Sequence, residues 1–286
     1  MEERKRKTLQ ELEFKDSFMF AAVMMDKDNA RGVIERAIGI EIDHLEVVYE
    51  KSIIYNPEYK GVRLDVYARD EENTRFNVEM QVVTQNILKR SRYYHSQIDM
   101  DLLETGLDYD ELPKSYVIFI CDFDPIGLKK YKYTRVQRLK ENQDYEYDDG
   151  SYTIFLSTVG ENEDEVSEDL VQFLKYVRAG NKEEKNDDSF VRQLQKSVEK
   201  IKLDREMGGR YMLFELICRD EFRAGKAEGK AEFIISLLED IAPVSAHLKE
   251  EILSIQSEEK LARLFKKAAK AESLEEFEKE LGLINQ

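Results

Sequence analysis

The sequence predicts an α/β layered domain followed by a helical C-terminal region, on three observations. Residues 62–68 and 76–82 each alternate apolar with polar side chains and flank the turn-forming run Asp70-Glu71-Glu72-Asn73, the pattern of an antiparallel hairpin. The nearly continuous apolar run 116–121, bounded by Pro113 and Pro125, is rich in β-branched and aromatic residues and reads as a strand buried on both faces. From Ser167 onward the apolar spacing turns almost wholly helical.

Taken in order, Phe14, Phe18, Ala21, Ala22 and Met25 recur at helical spacing and predict a helix over 14–25. A second helix starts near Asp28 as its cap and runs to Ile38, where Gly39 stops it. Strands follow over 45–55, 62–69 and 74–83, then a helix over 87–104 that ends before Gly106. Helix, three strands, helix, buried strand is a meander feeding a helical crossover, with all strands in one sheet. Residues 131–136 and 152–156, separated by the acidic turn Asp148-Asp149-Gly150, extend that sheet. The polar run 180–188 sets a boundary, giving domains 1–180 and 181–286. Gly225 and Gly229 recur every four residues on one helical stripe, which suits either close approach of another helix or a solvated linker. In the tail, Leu248, Ile252, Ile255, Leu261, Leu264 and Phe265 give amphipathic spacing, a small helical module or a surface for a protein partner.

Composition narrows the function. A formal charge of -16 argues against non-specific coating of nucleic acid, so any DNA contact must be local. Cys121 and Cys218 lie far apart and fit neither a disulfide framework nor zinc-ligand spacing, which favours a reducing cytoplasm. No run of eighteen apolar residues occurs, so no membrane span is expected.

With the hairpin loop centred on Glu72, Asp65 falls opposite Glu79 and Arg63 opposite Gln81. Two like charges across a ladder cost up to about 1 kcal/mol, a cost that a cation removes. Paired carboxylates can hold a hard divalent ion beside a scissile phosphate, and Gln81, two residues past Glu79, faces the same cleft. Arg63, Lys89, Arg90 and Arg92 are the cations placed to meet a DNA backbone. Spacing leaves a second reading open, in which Arg63, Asp65, Asn77, Glu79 and Gln81 form the solvent face of an amphipathic hairpin.

An acid on the second strand and Glu-X-Gln on the third, inside this element order, resembles the PD-(D/E)XK nuclease superfamily. More closely, Arg63-Leu64-Asp65-Val66-Tyr67, Asn77-Val78-Glu79-Met80-Gln81, Arg90-Ser91-Arg92-Tyr93-Tyr94 and Cys121-Asp122-Phe123-Asp124-Pro125 resemble the Rpn family of recombination-promoting nucleases and transposase-like proteins, over about residues 12–230. The resemblance implies a bacterial metal-dependent DNA endonuclease linked to recombination, mobile elements or defence. It puts Asp65 and Glu79 as metal ligands, with Mg²⁺ expected and Mn²⁺ or Ca²⁺ as alternatives. Gln81 takes the catalytic position that holds lysine in the wider superfamily. An acid from the first helical region often completes such sites; Glu35 is the candidate, with Glu13 and Asp16 as competitors. Leu64 replaces the proline of the superfamily name, and Gln81 brings no ammonium charge. Cutting both strands of a duplex favours a homodimer. The alternative is a catalytically weak or inactive scaffold acting through protein partners.

Overall fold

The computed structural model describes residues 7–53, 61–84, 86–180 and 187–284. Helix α1 spans Ser17–Met24 and α2 Lys27–Ile38. The cap of α2 is Asp26, whose side chain accepts from Asp28 N at 2.9 Å, two residues before the cap expected from sequence. Gly39 ends the helix with φ at 80°, the left-handed conformation that glycine adopts without a Cβ clash.

Strands β1 (Leu45–Ile53), β2 (Val62–Asp70) and β3 (Arg75–Gln81) form the antiparallel meander, and α3 (Ile87–Leu102) crosses over to β4 (Ser115–Cys121). The expected end of β1 at Tyr55 lies outside the described residues. Next come β5 (Lys132–Arg135), a small separate hairpin of β6 (Arg138–Leu139) and β7 (Asn142–Glu146), and β8 (Ser151–Ser157). The β6–β7 hairpin has no counterpart in the sequence reading, because its strands are short and exposed throughout. Among the described residues the main sheet has the order β1-β2-β3-β4-β8-β5, with β3–β4 and β4–β8 parallel.

Register follows from the hairpin loop. Thr74 N donates to Asp70 Oδ1 at 2.7 Å and Asp70 N to Thr74 O at 3.2 Å, while Asn73 sits at φ 67°, which asparagine tolerates. Val66 then pairs with Val78, Tyr67 with Asn77 and Arg69 with Arg75. One face of the sheet carries Tyr67, Val117, Phe119, Cys121 and Phe155 against Ile87, Tyr94 and Ile98 of α3. Val66, Val78, Ile118, Ile120, Ile154 and Leu156 alternate onto the opposite face and are also buried. Side chains of α1 and α2 pack there, and α4 (Glu168–Ala179) packs on α2. Strand β3 is therefore buried along nearly its whole length, which corrects the sequence reading of a half-buried strand. The correction has a simple cause: α3 covers the face whose residues are polar.

His95 fastens α3 to the sheet. Its ring nitrogens lie 3.0 Å from Ser115 Oγ on β4 and 3.0 Å from Thr153 Oγ1 on β8. Burial, with a smaller contribution from the Arg135 charge, pushes its pKa down to about 4.

The chain divides into two compact units, one ending at Gly208 and the other Gly209–Gln286. Helix α5 (Ser189–Leu203) packs on α1, α2 and α4, so the sequence-based boundary near residue 180 falls inside the first unit. In the second unit, α6 (Arg205–Glu239) contributes Ile234 and Leu238 to a core completed by α7 (Ala246–Leu253), α8 (Glu258–Ala268) and α9 (Leu274–Ile284). Leu248, Ile252, Leu261 and Leu264 are among its buried members, whereas Phe265 is exposed. A Cβ at Gly225 or Gly229 would meet open space, and the buried small residues of that stretch are Ala227 and Ala231. Among the described residues no helix is long and apolar enough to cross a membrane.

Because the folded pKa of His95 lies below its unfolded value of 6.5, its contribution is complete above pH 6.5 and is lost as pH falls toward 4. Denaturant titration at pH 7, 5.5 and 4.5 should show wild-type protein losing roughly 2 kcal/mol more than His95→Gln across that window. Equal losses in the two proteins would contradict the assignment.

Candidate active site

The β2–β3 ladder stops at Val66–Val78, yet β2 continues on β1 to Val62 and β3 continues on β4 to Gln81. The two strands part at the point where the register brings Asp65 level with Glu79. Carboxylates take over two of the freed backbone donors. Asp65 N donates to Glu79 Oε1 at 3.2 Å, and Met80 N donates to Asp65 Oδ2 at 3.4 Å. Asp65 and Glu79 thus stand together at the mouth of the split, with Gln81 two residues further along the same face.

Glu79 is 0% exposed. Arg90 Nη2 donates to its Oε2 at 2.7 Å, with Tyr94 OH at 3.5 Å from the same oxygen, and Asn77 Nδ2 donates to Oε1 at 3.3 Å. Arg90 also donates through Nη1 to Gln81 Oε1 at 3.2 Å and through Nε to Tyr94 OH at 2.7 Å. Burial, then the nearby Asp65 charge, pushes Glu79 up to about 8, against the opposing pull of Arg90, the Asp65 N–H and the Asn77 amide. The Tyr94 phenol is raised as well, by burial first and the Glu79 charge second, so it remains a donor. Asn77 Oδ1 is buried with no hydrogen-bond partner among the described residues. A like-charged pair short of positive charge, beside a spare buried oxygen, suits a hard divalent cation.

The other residues singled out from sequence fall in different places. Arg63 on β2 and Lys89 and Arg92 on α3 are exposed, while Arg90 turns inward. Asn86 caps α3 by accepting from Lys89 N. Glu35 is not brought to the cluster: its Oε1 accepts from Ile42 N at 2.9 Å, ahead of β1. Leu45, the first residue of β1, pairs with Asp70, five positions along β2 from Asp65, or roughly 16 Å at 3.3 Å per residue. Asp16 caps its own loop by accepting from Glu13 N at 2.7 Å and pairs with Lys7. Glu13 lies 3.9 Å from Lys15, which itself holds Asp122 at 2.9 Å together with Arg178 at 3.0 Å. Among the described residues no group of three or more acidic, histidine or cysteine side chains converges as a metal site. Asp65 and Glu79 make two carboxylates at the split, and Mg²⁺ is an ion that can be held by one or two carboxylates plus waters and phosphate oxygens.

Asn77 is expected from sequence only on the hairpin's polar face and Arg90 only at the DNA backbone, and the Tyr94 contact with Glu79 is not anticipated at all. Their spacing held the clue: Asn77 is two residues from Glu79 on a strand, and Arg90 and Tyr94 are one helical turn apart.

A fold of this class with carboxylates at a split hairpin is that of a PD-(D/E)XK nuclease core. A family model described as PD-(D/E)XK nuclease family transposase matches residues 5–214, and the chain belongs to that family. No curated protein and no solved structure matches it.

With a folded pKa above its unfolded value, Glu79 favours the native state most below pH 4.5 and loses that contribution as pH rises through about 8. In metal-free buffer, Glu79→Gln should therefore gain stability relative to wild type between pH 5 and pH 8.5, read from denaturant midpoints. A constant difference across that range would contradict the shift.

Proposed function

We propose that the protein is a divalent-cation-dependent DNA endonuclease that hydrolyses phosphodiester bonds at the split between β2 and β3. The observation that carries this reading is the pairing of Asp65 and Glu79 where the ladder ends, with each side chain accepting from the other strand's backbone. Asp65 and Glu79 hold the cation, with Mg²⁺ the best match to two carboxylates and Mn²⁺ or Ca²⁺ able to occupy the same oxygens. When bound, such an ion polarises the phosphate and lowers the pKa of an attacking water. Gln81 orients that water or a phosphate oxygen through its amide. Arg63, Lys89 and Arg92, exposed on β2 and α3, bind the phosphates on either side. Two copies would present two such clefts to a duplex. Membership of a nuclease family transposase group supports a role with mobile DNA.

One observation favours a second reading. Glu79 is fully covered and already paired with Arg90, and position 81 lacks lysine. A catalytically silent scaffold that works through protein partners of its C-terminal helices has these same features.

Plasmid cleavage decides between them. Wild-type protein should nick or linearise DNA only with Mg²⁺ or Mn²⁺ present, and Asp65→Ala or Glu79→Ala should lower the rate by at least about 100-fold. Cleavage that persists in both variants, or that survives chelation of the metal, would contradict the endonuclease reading.

A further inference from the structure

Position 81 carries a neutral amide, so β3 itself brings no cation to the two carboxylates. The structure supplies one from another element. Arg90 reaches down from the first turn of α3 and places its guanidinium 3.2 Å from the end of the Gln81 side chain and 2.7 Å from Glu79. Its charge therefore lies beside the side chain of position 81, within hydrogen-bond distance of both Gln81 and Glu79. The placement is firm, because Nε is fixed by Tyr94 OH and the guanidinium carbon stands 4.9 Å from the centre of the Tyr94 ring.

Donor arithmetic shows what remains. The three bonds to Tyr94, Gln81 and Glu79 use three of the five N–H groups of a guanidinium. The Arg90 side chain keeps 29% of its exposure, whereas its partner Glu79 has none. One N–H on each Nη is therefore left over by these three bonds, on a side chain that is partly open to solvent. A planar fork of this kind matches phosphate oxygens in a way that a buried amide cannot.

We propose that Arg90 is the cation that faces the scissile phosphate, acting from helix α3 in place of a lysine on strand β3. The inference rests on the endonuclease reading above. Negative charge that develops on the phosphoryl oxygens is met by the two free N–H donors, already oriented before DNA arrives. Gln81 then serves as a clamp on the guanidinium as well as a polar group of the cleft. Tyr94 is a positioning residue, acting through Arg90.

Moving the charge back from helix to strand tests this. Arg90→Ala should lower Mg²⁺-dependent cleavage of a duplex by about 100-fold. Adding Gln81→Lys to Arg90→Ala should recover at least about tenfold of that loss. A readout independent of turnover is binding of the labelled duplex in Ca²⁺: Arg90→Ala should reduce the slope of log affinity against log salt by about one, and the double variant should restore it. Arg90→Lys, which keeps a charge beside Glu79, should retain at least a tenth of wild-type cleavage; it decides the matter should the alanine variant fail to fold. Cleavage by Arg90→Ala within about threefold of wild type would overturn the proposal. So would a double variant that melts at the wild-type temperature yet recovers nothing, or a folded Arg90→Lys as inactive as Asp65→Ala. Wild-type protein that neither cleaves nor binds the duplex sinks the endonuclease reading itself, an outcome distinct from active protein that is indifferent to Arg90.

Discussion

The buried contact between Glu79 and Arg90 is the constraint on which the rest of this domain depends. A carboxylate with no solvent exposure must be matched by charge and hydrogen bonds or else give up its own charge. Here the match comes from a helix that must lie at one height over the sheet. His95 sets that height by reaching Ser115 and Thr153, and Asn86 starts the helix one turn ahead of Arg90. The apolar side chains Ile87, Tyr94 and Ile98 then seal α3 against Val117 and Phe119. Removing Arg90 would take away the guanidinium that opposes the rise of the Glu79 pKa, and the buried carboxyl would then give up its charge more readily still.

The proposed function rests on the place where the sheet fails to close. Through Val66–Val78 the hairpin is an ordinary ladder. Beyond it the strands are claimed by different neighbours, β2 by β1 and β3 by β4, so backbone donors turn toward side-chain oxygens. Two acids are brought together where a regular sheet would keep them on a continuous ladder and α3 would cover both. The resulting excess of negative charge is only partly offset by one guanidinium. A site in this condition gains from a further cation, which is the physical content of the proposed metal dependence.

Much of this could be read from the residues. The Asp70–Asn73 turn with Glu72 at its centre determined the hairpin register, and the structure pairs Val66 with Val78 as that register requires. The β-branched run ending at Cys121 marked the central buried strand. Three things were hidden for identifiable reasons. Polar residues at 77, 79 and 81 look like a solvent face when the helix that covers them is not yet in place. Asp26 and Asp28 are both competent caps, and only the helix start separates them. Glu35 sits on a helix just before β1, which suggests proximity, but direction along the strand takes it to the far end. Pairwise spacing reports which residues share a face and is silent about what lies over that face.

Crystals soaked in Mn²⁺ and measured at the manganese absorption edge give the most direct view of the central claim. The account predicts an anomalous peak between the Asp65 and Glu79 carboxylates, within coordination distance of both. Protein crystals saturated with Mn²⁺ that show no peak there, or a peak held by other residues with Glu79 still enclosed by Arg90 and Tyr94, would contradict it.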